Sequence, residues 1–465
     1  MPDLFVPFQA ALGADPLAAL RAGVIGRDAV IDGPYGPKRL IYADYTASGR
    51  ALRQVEGFVM DHVLPWYANS HTEASHCGGV MTRMRRQARQ VIADCIGAGP
   101  EHAVIFAGSG ATAGINRLVH LWQAGPGVTV LVGPYEHHSN LLPWRESGAD
   151  VVEIPEAAFG GPDMAALRAV LAAAPGRVIG AFSAASNVTG VLTDVPAVTR
   201  LLKDAGALVL WDYAGGGPYL PIDLAQGMDA VVVSPHKFLG GPGASGILAL
   251  RRDSVRALRP SLPGGGTVRF VSPSGHDYAG AVEAREEGGT PNVIGDIRAA
   301  LAFLVKTAVA DRLEALDRAR MALARARLWD HPRLQILGQR DAARLPIISF
   351  RLRDGQGGFV HQQLVTRMLS DRYGVQARGG CACAGPYVHR LLGIDPAESE
   401  RMRAAILAGD EVEKPGFIRL NLPWACDDAE VDAILDAVCD LAEAAPGLAA
   451  DYCCDPSRAI FSPAA

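Results

Sequence analysis

The sequence has few lysines and no long run of basic or of apolar residues. It contains five lysines in 465 residues, and its formal net charge is −5. No basic run is long enough to follow a phosphate backbone, so nucleic acid is a poor partner. No eighteen apolar residues run together, and the N terminus carries Pro2, Asp3 and Pro7 in place of a secretion signal. We therefore expect a cytoplasmic protein with no nucleic-acid or membrane partner.

The eight cysteines lack the paired Cys-x-x-Cys spacing of a zinc framework. In a reducing cytoplasm they would be free thiols. The neighbouring His137 and His138 could suggest a metal, but no third ligand stands at a suitable spacing. We expect no metal site.

Apolar strands alternate with helical segments through the middle of the chain. This alternation predicts an α/β fold with a mainly parallel seven-stranded sheet and ligands at the carboxyl ends of the strands. A smaller α+β domain is expected after it. We assign residues 1–40 to an N-terminal arm, 41–305 to the large domain and 306–465 to the small one. The predicted strands of the large sheet are 103–107, 128–132, 151–154, 178–183, 207–212, 230–233 and 247–250.

Three segments between or after these strands need separate interpretation. Residues 260–291 read as a long loop, which in a compact domain usually has a functional reason. Residues 298–327 read as one long helix that leads into the second domain. An insertion at 391–413 precedes the last predicted strand, 417–422.

Lys237 follows the apolar strand 230–233 and precedes a glycine-rich loop. Glycines there allow the backbone to approach a ligand closely. A lysine at this place is poorly solvated, and desolvation lowers the pKa of a lysine. The neutral amine could then form a Schiff base with a carbonyl such as that of pyridoxal phosphate. Ser234 and His236 beside it could donate hydrogen bonds to a phosphate.

Polar groups follow the other strands at corresponding places. The turn Gly-Ser-Gly-Ala111-Thr112 opens a helix, whose exposed amides form an anion site. His137 could stack on an aromatic cofactor, and the amide of Asn187 could bond a phenolic oxygen. Asp212 ends a buried strand and needs a cationic partner, which a protonated pyridine nitrogen supplies.

Taken together, these motifs resemble the class V aminotransferase superfamily of fold type I pyridoxal-phosphate enzymes, in its cysteine desulfurase and selenocysteine lyase branch. The resemblance covers roughly residues 40–445. It implies a homodimer in which Lys237 carries the cofactor and Thr290 reaches the phosphate of the partner subunit. It also implies the remaining roles: Ala111, Thr112, Ser234 and His236 on the phosphate, His137 on the ring, Asn187 on the ring hydroxyl and Asp212 on the ring nitrogen.

The small domain carries the segment Ala377-Arg-Gly-Gly-Cys-Ala-Cys-Ala-Gly-Pro386. It is similar to the cysteine loop of group II desulfurases and, more closely, to that of the molybdenum cofactor sulfurase N-terminal domain. The resemblance places Arg378 and Arg419 on the substrate carboxylate and Cys383 at the nucleophilic position. Cys381 lies two residues away and stays an alternative nucleophile, and both cysteines could instead be small fillers of a tight turn. The polar segment 67–75 adds His71 to the substrate-binding candidates.

One position departs from the family pattern. Asp212 is followed three residues later by Gly215, where the family has a Gln or His that contacts the ring oxygen. The glycine cannot make that contact, on which the choice of reaction in this family depends.

We expect sulfur to be taken from L-cysteine as a Cys383 persulfide, with L-alanine released and the sulfur passed to an acceptor such as a protein. One alternative is another class V reaction on a small amino acid, such as transamination, racemisation or β-elimination. The other is a non-catalytic sulfur-relay partner that binds the cofactor.

Overall fold

The computed structural model describes residues 3–70 and 72–464. Its centre is a seven-stranded sheet of β1 (His102–Gly108), β2 (Val128–Val132), β3 (Asp150–Glu153), β4 (Arg177–Ser183), β5 (Leu208–Asp212), β6 (Ala230–Val233) and β7 (Gly246–Arg251). The strands are arranged in the order β1-β7-β6-β5-β4-β2-β3. Strand β7 pairs antiparallel with β1 and β6, and the other pairs are parallel. The predicted mainly parallel sheet is confirmed.

Alternate residues of each strand enter two separate apolar cores. In β6, Val231 and Val233 join one core, whereas Ala230 and Val232 join the other. Because successive side chains of a strand point to opposite faces, a sheet covered on both faces needs a continuous apolar run. The helices of this part are Arg53–Phe58, which continues as a π-helix at Val59–Val63, His76–Cys95, Gly110–Leu121, Leu142–Glu146, Met164–Ala173, Val195–Asp204 and Val293–Thr307.

The C-terminal part is the predicted smaller α+β unit. Its sheet contains Leu334–Ile336, Ile347–Arg353, Phe417–Asn421 and Arg378–Gly380, with Phe359–Val360 paired at one side. The helix Gln362–Tyr373 follows the strand residues 359–360, and the His361 side chain caps its N terminus. The other helices are Ala310–Leu328, Gly385–Leu392, Pro396–Leu407 and Asp428–Leu448, followed by a hairpin of Tyr452–Asp455 and Ile460–Pro463.

Two predictions about connecting segments were wrong. The segment 260–291 is not a plain loop, because Val268–Ser272 and Gly275–Tyr278 form a hairpin that leads into the helix Val282–Glu286. The single helix predicted for 298–327 is two helices, Val293–Thr307 and Ala310–Leu328. Both contain mainly good helix formers, so composition gave no sign of the break between them.

The N-terminal segment packs against both parts. Its helices Val6–Ala11 and Pro16–Ala22 precede a short pair of strands, Val30–Ile31 and Lys38–Arg39. The strand Ile41–Tyr42 then pairs in parallel with Val375–Gln376 of the C-terminal part. This pairing places Asp44 in contact with Arg378 and Arg419 of the small sheet. No helix among the described residues is long and apolar enough to cross a membrane.

Candidate active site

One cavity of about 200 Å³ lies at the carboxyl ends of the parallel strands. It is lined by eight of the residues predicted to bind the cofactor. They come from the ends of β1, β2, β4, β5 and β6, which topology brings to the same edge of the sheet. These eight are Ala111, Thr112, His137, Asn187, Asp212, Ser234, His236 and Lys237.

Lys237 and Asp212 form the electrostatic centre of the cavity. Burial is the main cause that lowers the pKa of Lys237 to about 8. Arg419 and Arg378 act in the same direction, and Asp212 and Cys383 act in the opposite one. Burial also raises the pKa of Asp212, although a hydrogen bond from the Ala214 amide acts in the opposite direction. A larger fraction of this lysine is therefore neutral near pH 7 than of an exposed lysine.

The helix Gly110–Leu121 points its N terminus at the cavity. Ser109 at its N-cap makes no side-chain capping bond, and the Ala111 amide donates to Ser234 Oγ at 2.9 Å. Gly110 has a φ of +63°, and a Cβ there would lie 2.9 Å from Ser234 Oγ and 3.3 Å from His236 Cε1. Glycine thus permits a close approach of the two loops that form an anion site.

His137 is held by Ser139, a residue that the sequence analysis did not assign. The Ser139 amide donates to His137 Nδ1 at 3.1 Å, and Ser139 Oγ lies 2.6 Å from Thr112 Oγ1. Burial and the Lys237 charge lower the pKa of His137 to about 4. The imidazole is therefore neutral at pH 7, and because Nδ1 accepts, its proton is on Nε2. The sequence motif Glu136-His-His-Ser139 gives no sign that the Ser139 hydroxyl contacts the Thr112 hydroxyl.

Asn187 provides the clearest test of whether pyridoxal phosphate fits this cavity. Its Nδ2 donates to Ala382 O at 2.8 Å, whereas its buried Oδ1 has no partner among the described residues. A ring hydroxyl is a donor that would satisfy this oxygen. Asp212 is buried and suited to a protonated ring nitrogen, and the helix N terminus is suited to a phosphate. The residues present therefore fit the group.

Gly215 lies in the same cavity lining. A Cβ there would meet Ala185 O and Asn187 Cβ at 3.6 Å, which is ordinary van der Waals contact. The backbone therefore leaves room for a Cβ at this position.

The two predicted substrate-binding arginines lie directly opposite each other on adjacent antiparallel strands. Asp44 bridges them: Arg378 Nε donates to Oδ2 at 2.9 Å, and Arg419 Nη2 donates to Oδ1 at 3.0 Å. Arg419 also donates to Asn187 O at 3.0 Å. The sequence analysis did not assign Asp44 to the site.

The loop with the two cysteines is strained and anchored to the cavity. Ala382 and Cys383 have φ angles of 50° and 55°, a region that costs L residues about 1–2 kcal/mol each. The His138 amide donates to Cys383 O at 2.8 Å, and the Gly385 amide donates to His138 Nε2 at 2.9 Å. Cys383 is exposed and Cys381 is partly buried. The loop thus presents the Cys383 thiol next to the site.

The predicted residues Thr290, Arg378, Arg419 and Cys383 do not line the cavity. Thr290 is exposed and does not line it, so its role on the partner subunit stays a prediction. His71 lies outside the described residues. Within 3–70 and 72–464, no group of three or more His, Cys, Asp or Glu side chains is arranged to hold a metal ion.

A mainly parallel α/β sheet with a desolvated lysine, a buried aspartate and a helix N terminus around one cavity defines a fold type I architecture. The profile of the aminotransferase class-V family matches residues 41–433, and the chain belongs to this family.

Curated relatives include a cysteine desulfurase of Enterobacter sp. (strain 638), 32% identical over 75% of this chain and 85% of that protein. A probable cysteine desulfurase of Vibrio cholerae is 30% identical over 80% of this chain and 90% of that protein. Among solved structures, the cysteine desulfurase CsdA of Escherichia coli in an S-sulfonic acid form aligns with a TM-score of 0.73 at 25% identity. That alignment covers 93% of this chain and 99% of the solved one.

Proposed function

We propose that this protein is a pyridoxal-phosphate-dependent cysteine desulfurase. It takes sulfur from L-cysteine as a persulfide on Cys383 and releases L-alanine. The observation that carries the proposal is the anchoring of the Cys383 loop to the cavity residue Asn187, whose Nδ2 donates to Ala382 O at 2.8 Å. Arg419 donates to the backbone oxygen of the same asparagine at 3.0 Å, and Asp44 bridges Arg419 to Arg378. The cysteine desulfurases among the relatives support it.

Pyridoxal phosphate, when bound, supplies an electron sink. Lys237 would hold it covalently. Asp212 would keep its ring nitrogen protonated, and Asn187 Oδ1 would accept from its ring hydroxyl. The amides of the helix Gly110–Leu121, with Thr112, Ser234 and His236, would hold its phosphate.

The remaining steps belong to residues of this chain. Arg378 binds the substrate carboxylate and fixes the orientation of the substrate. Lys237, with its pKa lowered to about 8, exchanges protons with the substrate carbon atoms near neutral pH. His137 is neutral and offers its Nε2 proton at the cavity wall.

Sulfur transfer then balances as L-cysteine plus the Cys383 thiol giving L-alanine plus a Cys383 persulfide. The Cys383 thiolate attacks the substrate sulfur, and a new S–S bond forms as the substrate C–S bond breaks. The electron pair of that bond remains with the carbon fragment, which gains a proton and leaves as alanine. A reductant or an acceptor protein then removes the sulfur.

The proposal includes a homodimer and a cytoplasmic location. Thr290 is exposed in the single chain, which leaves it accessible to a partner subunit. The reaction needs Cys383 as a reduced thiol, which the cytoplasm maintains.

The test compares Cys383→Ser with Cys381→Ser in protein loaded with the cofactor. Cys383→Ser should form no persulfide from L-cysteine, and Cys381→Ser should retain most of the alanine release. Both should keep the absorbance of the bound cofactor, because it depends on Lys237. If both variants release alanine at the wild-type rate, or if the wild type releases none, the desulfurase assignment is wrong.

A further inference from the structure

The carboxylate of Asp44 occupies the space between the two arginines assigned to the substrate. It is 8% exposed and contacts both guanidinium groups at 2.9 and 3.0 Å. The three residues come from distant parts of the sequence. The segment that contains Asp44 continues to Gly49, whose amide donates to His236 O at 2.9 Å, next to Lys237 in the sequence. Asp44 is thus built into the active site, between the cofactor lysine loop and the small sheet.

The arrangement has a clear electrostatic reason. Arg378 and Arg419 are a directly opposed cross-strand pair, and like charges in that position repel. Asp44 between them removes this repulsion and fixes both side chains. Two cations and one anion leave a net charge of +1, and Lys237 and Asp212 offset each other when both are charged.

The two arginines differ in what they offer to a ligand. Arg419 is buried, with a side chain 4% exposed, and its terminal nitrogens donate to Asp44 and to Asn187 O. The side chain of Arg378 is 52% exposed, and within the described residues it donates only from Nε, to Asp44. Its two terminal nitrogens therefore remain for a bidentate bond with one carboxylate.

We propose that Asp44 is a positioning and specificity-determining residue that sets the substrate site to a single positive charge. This inference rests on the proposed function, because it assumes that an amino-acid substrate binds there. With Asp44 present, one α-carboxylate neutralises the site, and a substrate with an uncharged side chain is selected. An amino acid with a second, acidic group meets no further cation and repels Asp44, so it is rejected.

The test measures ligand binding without turnover. L-Alanine and L-aspartate are titrated into cofactor-loaded protein, and the absorbance change of the bound cofactor gives a Kd for each. Wild-type protein should bind L-alanine more tightly. In Asp44→Asn the net charge rises to +2, and the ratio of the L-alanine Kd to the L-aspartate Kd should rise at least tenfold. In Asp44→Glu, which keeps the charge, the ratio should stay near the wild-type value even if both Kd values rise.

Asp229→Asn is the matched control, because Asp229 is another buried aspartate, paired with Lys203 at 2.7 Å. It should leave the ratio unchanged. Arg378→Gln provides an independent arm should Asp44→Asn fail to fold. It lowers the net charge to zero at a half-exposed residue, so the same ratio should fall several-fold.

Equal loss of affinity for both ligands in Asp44→Asn, or an unchanged ratio in Arg378→Gln, would show that Asp44 only supports the structure. Failure of this test can be distinguished from failure of the proposed function. A wild-type protein that released no alanine from L-cysteine would disprove the desulfurase assignment, yet the two Kd values could still be measured.

Discussion

Lys237 is the residue whose protonation the cavity controls most directly. Burial lowers its pKa to about 8, so its amine loses its proton well below the range of an exposed lysine. Only the neutral amine attacks a carbonyl. In cofactor-free protein, the rate of pyridoxal phosphate incorporation should therefore rise with pH and level off above about 8.

Stopped-flow absorbance over pH 6 to 10 measures this rate, and Lys414→Gln, which changes an exposed lysine, should give the same profile. A midpoint near 10 would mean that the amine is solvated, and that the cavity does not impose the shift.

Asp212 should matter more for turnover than for cofactor binding. Its carboxylate is buried at the end of β5, whereas the phosphate site is on the helix Gly110–Leu121 and the loop at His236. Asp212→Asn keeps the shape but not the charge that holds a proton on the ring nitrogen. We expect kcat to fall about 100-fold, as is typical when one preorganised electrostatic contact is removed.

The Kd of the cofactor should rise far less, which equilibrium dialysis can determine. Asp229→Asn, a buried aspartate outside the site, serves as the control. Full activity in Asp212→Asn would contradict the assignment of this strand end.

The loop 381–385 depends on an element of the other part of the chain. His138 holds it through two hydrogen bonds, and Asn187 holds it through Ala382 O. Burial lowers the pKa of His138, and the nearby Arg145 adds to this, so its Nε2 remains an acceptor at neutral pH. His138→Ala should free the loop from its strained conformation and reduce persulfide formation roughly tenfold, because a displaced nucleophile loses its alignment.

Hydrogen exchange of the amides 381–386 should increase in His138→Ala, while the cofactor absorbance remains. His120→Ala, at a histidine whose Nε2 bonds the Arg259 carbonyl far from this loop in the sequence, should change neither measurement. Unchanged exchange at 381–386 would show that the two hydrogen bonds do not hold the loop.

The functional residues at the strand ends were the part of the site that could best be predicted from the sequence. Apolar runs such as 230–233 are continuous because both faces of the sheet are covered, and parallel topology then collects Lys237, Asp212 and Asn187 at one edge. The Asp44 bridge could not be found in this way. It joins residues 334 and 375 positions apart, and nothing in the local pattern of residues 41–50 specifies that contact. The hairpin of 268–278 was missed because its strands are mostly exposed and lack an apolar alternation.

At the scale of the whole molecule, Thr290 of a single chain lies outside the cavity whose phosphate site it is expected to complete. In a dimer with two-fold symmetry, Thr290 of each protomer would reach the phosphate site of the other. Thr290→Asp should raise the Kd of the cofactor at least tenfold, because a carboxylate repels the phosphate. Sedimentation should show a dimer for both wild type and variant.

Mixed dimers of Lys237→Ala and Thr290→Asp chains test the crossing directly. In each hybrid, one site carries both defects and the other combines an intact Lys237 with an intact Thr290. Activity should therefore return on mixing, to about a quarter of the wild-type level for random exchange in a two-fold dimer. If Thr290 served its own chain, every hybrid site would carry one defect and mixing would restore nothing. An active monomer in sedimentation would exclude the shared site altogether.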